Sequence, residues 1–130
     1  MTKEQLFRGA DIVSIHLILS NRTPGLVGAA EFGLMKRTAR LVNTSRGPIV
    51  AEVALVDALR TGQIAGAAID VFDQEPLPPH HAFRELPNVL ATPHIGYVSR
   101  DLYRRFYQDS VENVTKRLDA EAASTPGHGR

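Results

Sequence analysis

The stretch Ala10-Asp11-Ile12-Val13-Ser14-Ile15-His16-Leu17-Ile18-Leu19 is a nearly continuous apolar run rich in β-branched residues. Such a run suits a strand buried on both faces, as strands of a parallel sheet are. Working outward, Ser20 to Gly25 is a loop by composition. Gly28 to Met35 reads as a helix weakened by Gly33, with Lys36 and Arg37 where cations favour a helix C-terminus. Ala39 to Asn43 is the next strand. Ile49 to Arg60 is helical, with Val53, Val56 and Leu59 on one stripe, Leu55 beside it, and Gly62 placed to end it. Ile64 to Phe72 holds a third strand centred on residues 67–71. Gln74 to Pro87 is a loop punctuated by four prolines, and Asn88 to Thr92 is the last strand. Ser99 can cap a long final helix with Asp101 in its first turn. There Tyr103, Tyr107, Val111, Val114 and Leu118 recur at spacings of 4, 4, 3 and 4, a stripe that demands a packing partner. The alternation of strands and helices predicts an α/β fold with a mostly parallel sheet and right-handed crossovers. Residues 1–122 form one domain in this reading, and 123–130 a disordered tail.

A chain of 130 residues with 43% hydrophobic content can bury a real core. Fifteen basic residues balance 14 acidic ones, so no basic face marks a nucleic-acid binder. The absence of cysteine excludes a disulfide framework and a thiolate metal site. The N-terminus has no signal-peptide core, and no run approaches the roughly 18 apolar residues of a membrane span. A soluble, cytoplasmic protein is the expectation.

Three strand-like runs end in loops that carry polar groups: Arg46 in Asn43-Thr44-Ser45-Arg46-Gly47, Glu75 in the segment Asp70 to Pro76, and His94 in Thr92-Pro93-His94-Ile95-Gly96. The C-terminal ends of parallel strands line the ligand crevice of an open α/β sheet. Arg46 can grip a carboxylate with its guanidinium fork, or it is a solvated arginine in a turn. His94 suits general acid–base work because its ordinary pKa lies near neutrality; the alternative is a structural histidine. Glu75 can hold the other imidazole nitrogen and raise its basicity, or it is a loop carboxylate before Pro76. Asp70, inside an apolar run, needs hydrogen bonds. It either contacts a ligand amide or organises a neighbouring loop. Thr44 and Ser45 offer hydroxyls to a cofactor or cap the following helix. His16 reads as a packed or edge histidine. His80 and His81 lack a third ligand at helpful spacing, so no metal is expected.

These segments resemble, in their order and spacing, the D-isomer-specific 2-hydroxyacid dehydrogenase family, specifically the second half of its NAD-binding domain. The blocks are residues 10–17, Leu34-Met35-Lys36, 41–47, Ala65 to Pro79, Leu86-Pro87-Asn88-Val89 and Thr92 to Gly96. The resemblance implies a partial Rossmann-type three-layer fold and an NAD(P)-dependent reduction of a 2-keto acid to a D-2-hydroxy acid. It implies that Arg46 binds the substrate carboxylate and helps polarise the carbonyl, that His94 is the proton donor, and that Glu75 completes a His–Glu pair. NAD or NADP would be the cofactor. Leu17, Ile18, Thr44 and Ser45 would line its site, together with Arg46, Asp70, His94 and Gly96. Glu75 argues against the formate dehydrogenase branch, which resembles this family but has glutamine there.

Two departures stand out. Ile18 occupies a place where the family usually has proline. No Gly-x-Gly-x-x-Gly loop occurs, nor the acidic residue that reads the ribose, nor the bulk of a substrate domain. By resemblance the chain begins inside a Rossmann fold and is truncated. NAD should therefore bind weakly or not at all. The edge of strand 10–19 should be bare, and association as a homodimer through that strand or through helix 99–120 is expected. The alternatives to a partial enzyme are an inactive remnant and an oligomerising or corepressor-like NAD-binding module.

Overall fold

The structure, a computed structural model, describes residues 1–124. It divides into two compact units, Met1–Gly96 and a second beginning at Tyr97. The first unit runs α1 (Lys3–Gly9), β1 (Ile12–Ile15), α2 (Ala29–Leu34), β2 (Arg40–Asn43), a 3-10 turn (Gly47–Ile49), α3 (Glu52–Arg60), β3 (Gly66–Ile69), α4 (Ala82–Glu85) and β4 (Val89–Ala91). The strands form one all-parallel sheet in the order β1-β2-β3-β4. The second unit holds α5 (Arg100–Ser124).

The sequence logic is local. In β1 and β2, Val13, Ile15, Leu41 and Asn43 point to one face and are buried, while Ile12, Ser14 and Arg40 point away and are exposed. Val13, Ile15 and Leu41 join Ala67 and Ile69 of β3, Phe7 of α1, Phe32 of α2, and Leu55, Ala58 and Leu59 of α3 in one core. Gly66 stays side-chain-free because a Cβ there would come within 2.7 Å of the Asn88 carbonyl oxygen.

Several sequence expectations are corrected. The apolar run at 10–19 is a strand only over Ile12–Ile15 and is buried on one face, with Ile12 64% exposed. Leu17, Ile18 and Leu19 leave the strand and are exposed, so the bare edge of β1 is four residues long. The helix expected at 49–60 is a 3-10 turn followed by α3, and its buried stripe is Leu55, Ala58 and Leu59; Val53 faces outward at 76% exposure. The proline-rich loop contains α4, whose Phe83 is buried. α1 was not expected. Its signal is the capping box: Thr2 Oγ1 accepts from the Gln5 N–H at 3.2 Å, and Gln5 Oε1 accepts from the Thr2 N–H at 2.9 Å. Ser99 does cap α5, accepting from the Leu102 N–H at 3.2 Å. That helix continues to Ser124, past the boundary expected at 122, and residues 125–130 of the expected tail lie outside the described residues.

Candidate active site

Parallel pairing places the C-terminal ends of all four strands along one edge of the sheet. The loops leaving β2, β3 and β4 carry Arg46, Glu75 and His94. His94 Nδ1 lies 2.7 Å from Glu75 Oε2. The other Glu75 oxygen accepts from the Phe72 N–H at 3.0 Å, which fixes the carboxylate against its own loop. The His94 hydrogen bond is the chief reason the Glu75 carboxyl is held below the usual carboxylate range; partial burial opposes it, and the positive charge of Arg46 adds to it. Glu75 is therefore an anion at neutral pH. A carboxylate in that place accepts from Nδ1–H and so favours the tautomer protonated on that nitrogen.

Asp70 holds the loop that carries His94. It is buried at the end of β3, where burial pushes its pKa up. Three hydrogen bonds outweigh that: from Thr92 Oγ1 at 2.5 Å, from the Ile95 N–H at 2.9 Å and from the Gly96 N–H at 2.7 Å, so the net shift is downward. Of the two readings of Asp70, the geometry realises the loop organiser. The loop is tight: His94 N–H bonds back to the Thr92 carbonyl at 3.0 Å around Pro93. His94 itself sits at φ 56°, a left-handed conformation costly for a residue with a Cβ. The clamp from Asp70 is what offsets that cost. Gly96 is required by proximity, since a Cβ there would lie 2.9 Å from Asp70 Oδ2.

The β2 loop has a comparable organiser that sequence reasoning missed. Asn43 is fully buried; its Oδ1 accepts from the Ser45 N–H at 3.1 Å and its Nδ2 donates to the Arg46 carbonyl at 3.0 Å. An Asn at a strand end with a polar residue two positions on is the signature of such an Asx turn. Ser45 donates its hydroxyl to the Ile15 carbonyl at 2.8 Å, which ties the ends of β1 and β2 together. The Ser45 hydrogen is thus spent on structure, while Thr44 is exposed. Gly47 lets the loop close, because a Cβ there would run into the backbone of Phe72 and Asp73. Arg46 is exposed and braces its guanidinium on the Ser45 carbonyl at 2.6 Å.

Leu17 and Ile18, following β1, add exposed apolar surface to this edge. His16 and His81 have partners away from the His94–Glu75 pair. His16 is an edge residue whose Nε2 lies 2.8 Å from Ser14 Oγ. His81 pairs through Nε2 with Glu52 at 2.9 Å and caps α4 by accepting from the Phe83 N–H at 3.2 Å. Among the described residues no three His, Cys, Asp or Glu side chains group so as to hold a metal ion.

Comparison with known proteins places this geometry in context. The family described as D-isomer specific 2-hydroxyacid dehydrogenase, NAD binding domain, matches residues 1–96. Glyoxylate reductase of Aeropyrum pernix is 49% identical over 111 residues, which are 85% of this chain and 33% of that protein. A D-isomer specific 2-hydroxyacid dehydrogenase of Xanthobacter autotrophicus, solved with NADPH, superposes with a TM-score of 0.69 at 42% identity, over 72% of this chain and 30% of that one. D-lactate dehydrogenase of Lactobacillus jensenii, solved with NAD+, gives 0.79 at 29% identity, over 86% and 38%. The chain spans about a third of the length of the curated relatives it matches.

Proposed function

The chain belongs to the D-isomer specific 2-hydroxyacid dehydrogenase family through its NAD-binding domain, and from that premise we propose that its strand-end rim catalyses reduction of a small 2-keto acid to the D-2-hydroxy acid. The observation that carries the reading is the 2.7 Å contact between His94 and Glu75, with the charge of Arg46 acting on the same carboxylate. Leu17, Ile18, Thr44, Ser45 and Gly96 would hold reduced NAD or NADP, whose chemistry there would be to supply hydride to the carbonyl carbon. Arg46 binds the substrate carboxylate and draws electron density from the adjacent carbonyl. His94, protonated on both nitrogens, gives its Nε2 proton to the carbonyl oxygen as that oxygen gains charge. Glu75 stabilises the imidazolium before transfer and holds Nδ1–H after it. Asp70 acts through the loop by keeping His94 in its left-handed conformation. In the oxidative direction the neutral imidazole takes the hydroxyl proton back.

Glyoxylate heads the substrate list because the most similar curated relatives include glyoxylate reductases. Hydroxypyruvate and 2-ketobutyrate test the size limit. The assay is nicotinamide oxidation with each acid, using the chain and its Arg46→Ala variant. Loss of the guanidinium should raise KM for every acid and lower kcat/KM by about tenfold to a hundredfold, the worth of a charge-assisted hydrogen bond. Turnover that ignores the substitution would remove Arg46 from the site.

A further inference from the structure

The ring of His81 joins two elements that lead away from the rim. Its Nδ1 accepts from the Phe83 N–H at 3.2 Å and so caps α4. A ring nitrogen that accepts carries no proton, so the hydrogen of the neutral imidazole is on Nε2. Nε2 lies 2.9 Å from Glu52 Oε1 and donates to it. With the two side chains only 19% and 24% exposed, this is a sheltered contact rather than a loose surface pair. Arg46 stands six residues before Glu52, and Glu75 stands six residues before His81. Each end of the bond is therefore anchored in a loop that carries a rim residue.

The two loops also touch directly. Gly47 lies against the backbone of Phe72 and Asp73. The Phe83 ring meets the His81 ring with centroids 4.8 Å apart and the Phe72 ring at 6.3 Å. The Phe72 N–H is in turn the donor that fixes Glu75. The space left among Asn43, Gly47, Glu52, Phe72, Asp73 and Phe83 is about 10 Å³, room for no more than one water. Partial burial, and then the charge of Glu52, push the Asp73 carboxyl up. The seam thus holds two carboxylates, one from each loop, that repel. The His81 N–H gives Glu52 a partner inside the seam and keeps it closed.

We propose that His81 is a positioning residue for the rim: its Nε2–H bond to Glu52 fastens the Arg46 loop to the Glu75 loop and so sets where Glu75 meets His94. This rests on the reading of the rim as an acid–base site. His81 acts at a distance, through Phe83 and Phe72 on one side and through α3 and the 3-10 turn on the other.

The bond and the α4 cap can be cut separately. His81→Asn keeps a side-chain oxygen for the Phe83 N–H but is too short to reach Glu52. Glu52→Ala severs the bond from the other end and leaves α4 untouched. Glu52→Gln keeps an acceptor for Nε2–H. The readout is the tautomer of His94, taken from its ring 15N shifts in the full chain at mildly alkaline pH, with the signals assigned by His94→Asn. Glu75 favours hydrogen on Nδ1, whereas a free imidazole favours it on Nε2. The unaltered chain and Glu52→Gln should show Nδ1–H. His81→Asn and Glu52→Ala should each shift the ring towards Nε2–H, and the double variant should shift it no further than either alone. Thr2→Ala, which weakens the fold at α1, should leave the tautomer unchanged, and this separates positioning from general loss of stability. Turnover does not enter the readout. A chain that shows these shifts but transfers no hydride counts against the chemistry proposed for the rim and leaves the link standing. The same His94 tautomer in the unaltered chain, His81→Asn and Glu52→Ala would overturn the proposal, as would an equal shift in Thr2→Ala or Glu52→Gln.

Discussion

Replacing His94 by asparagine should lower kcat about a hundredfold to ten-thousandfold, the usual worth of a general acid–base group, with the fold intact by circular dichroism. Glu75→Gln keeps the shape but loses the anion facing Nδ1–H. Steady-state rates should fall by about tenfold to a hundredfold. Asp70 makes a different prediction, because its work is structural. Its pKa is lowered on folding, as is that of Glu75. For a group depressed in the folded state, the unfolded chain takes up the proton first as pH falls. The stabilisation is therefore present above the ordinary carboxylate range and is lost below about pH 4. Asp70→Asn should lower stability at pH 7 and flatten the acid limb of a denaturation profile. An acid limb unchanged in the variant would show that the clamp contributes nothing. These residues were legible to different degrees. Arg46, Glu75 and His94 could be read because each follows an apolar run. Asn43 could not, because a buried amide at a strand end looks like any loop residue until its two partners are known.

Elements were most readable where burial is two-sided in sequence and least where the signal is a single cap. β2 and β3 lie within the expected runs. β1 was overextended because an apolar stretch says nothing of where the ladder ends; Leu17 to Leu19 are apolar yet exposed. α3 lies within the expected run, but of the expected stripe Val53, Val56 and Leu59 only Leu59 is buried, together with Leu55 and Ala58. At seven residues α1 is too short for periodicity to detect, and it rests on the Thr2–Gln5 box and on Lys3, which pairs with Glu31 at 2.7 Å and donates to the Leu26 carbonyl at 2.6 Å. Thr2→Ala should cost about 1 kcal/mol in urea denaturation. Gly47→Ala should cost about 1–3 kcal/mol, because the new methyl meets the backbone of the β3 loop rather than a side chain that can swing aside.

At the scale of the molecule, four parallel strands bring to one rim the groups of three loops separated by 19 to 29 residues in sequence. The same chain contains no Gly-x-Gly-x-x-Gly stretch to cradle a pyrophosphate. Calorimetry should accordingly find weak, roughly millimolar dinucleotide binding to residues 1–130, and submicromolar affinity would contradict the view that only the nicotinamide side is provided. No helix among the described residues is long and apolar enough to cross a membrane. The account rests on one rim acting as one machine, and isotope transfer reads that directly even when turnover is slow. The chain is incubated at high concentration with 4-deuterated NADH or NADPH and glyoxylate, and the product is followed by NMR. Deuterium should arrive on carbon 2 of glycolate, with the His94→Asn and Arg46→Ala chains delivering it far more slowly. Equal transfer by all three chains, or none above the protein-free blank, would contradict it.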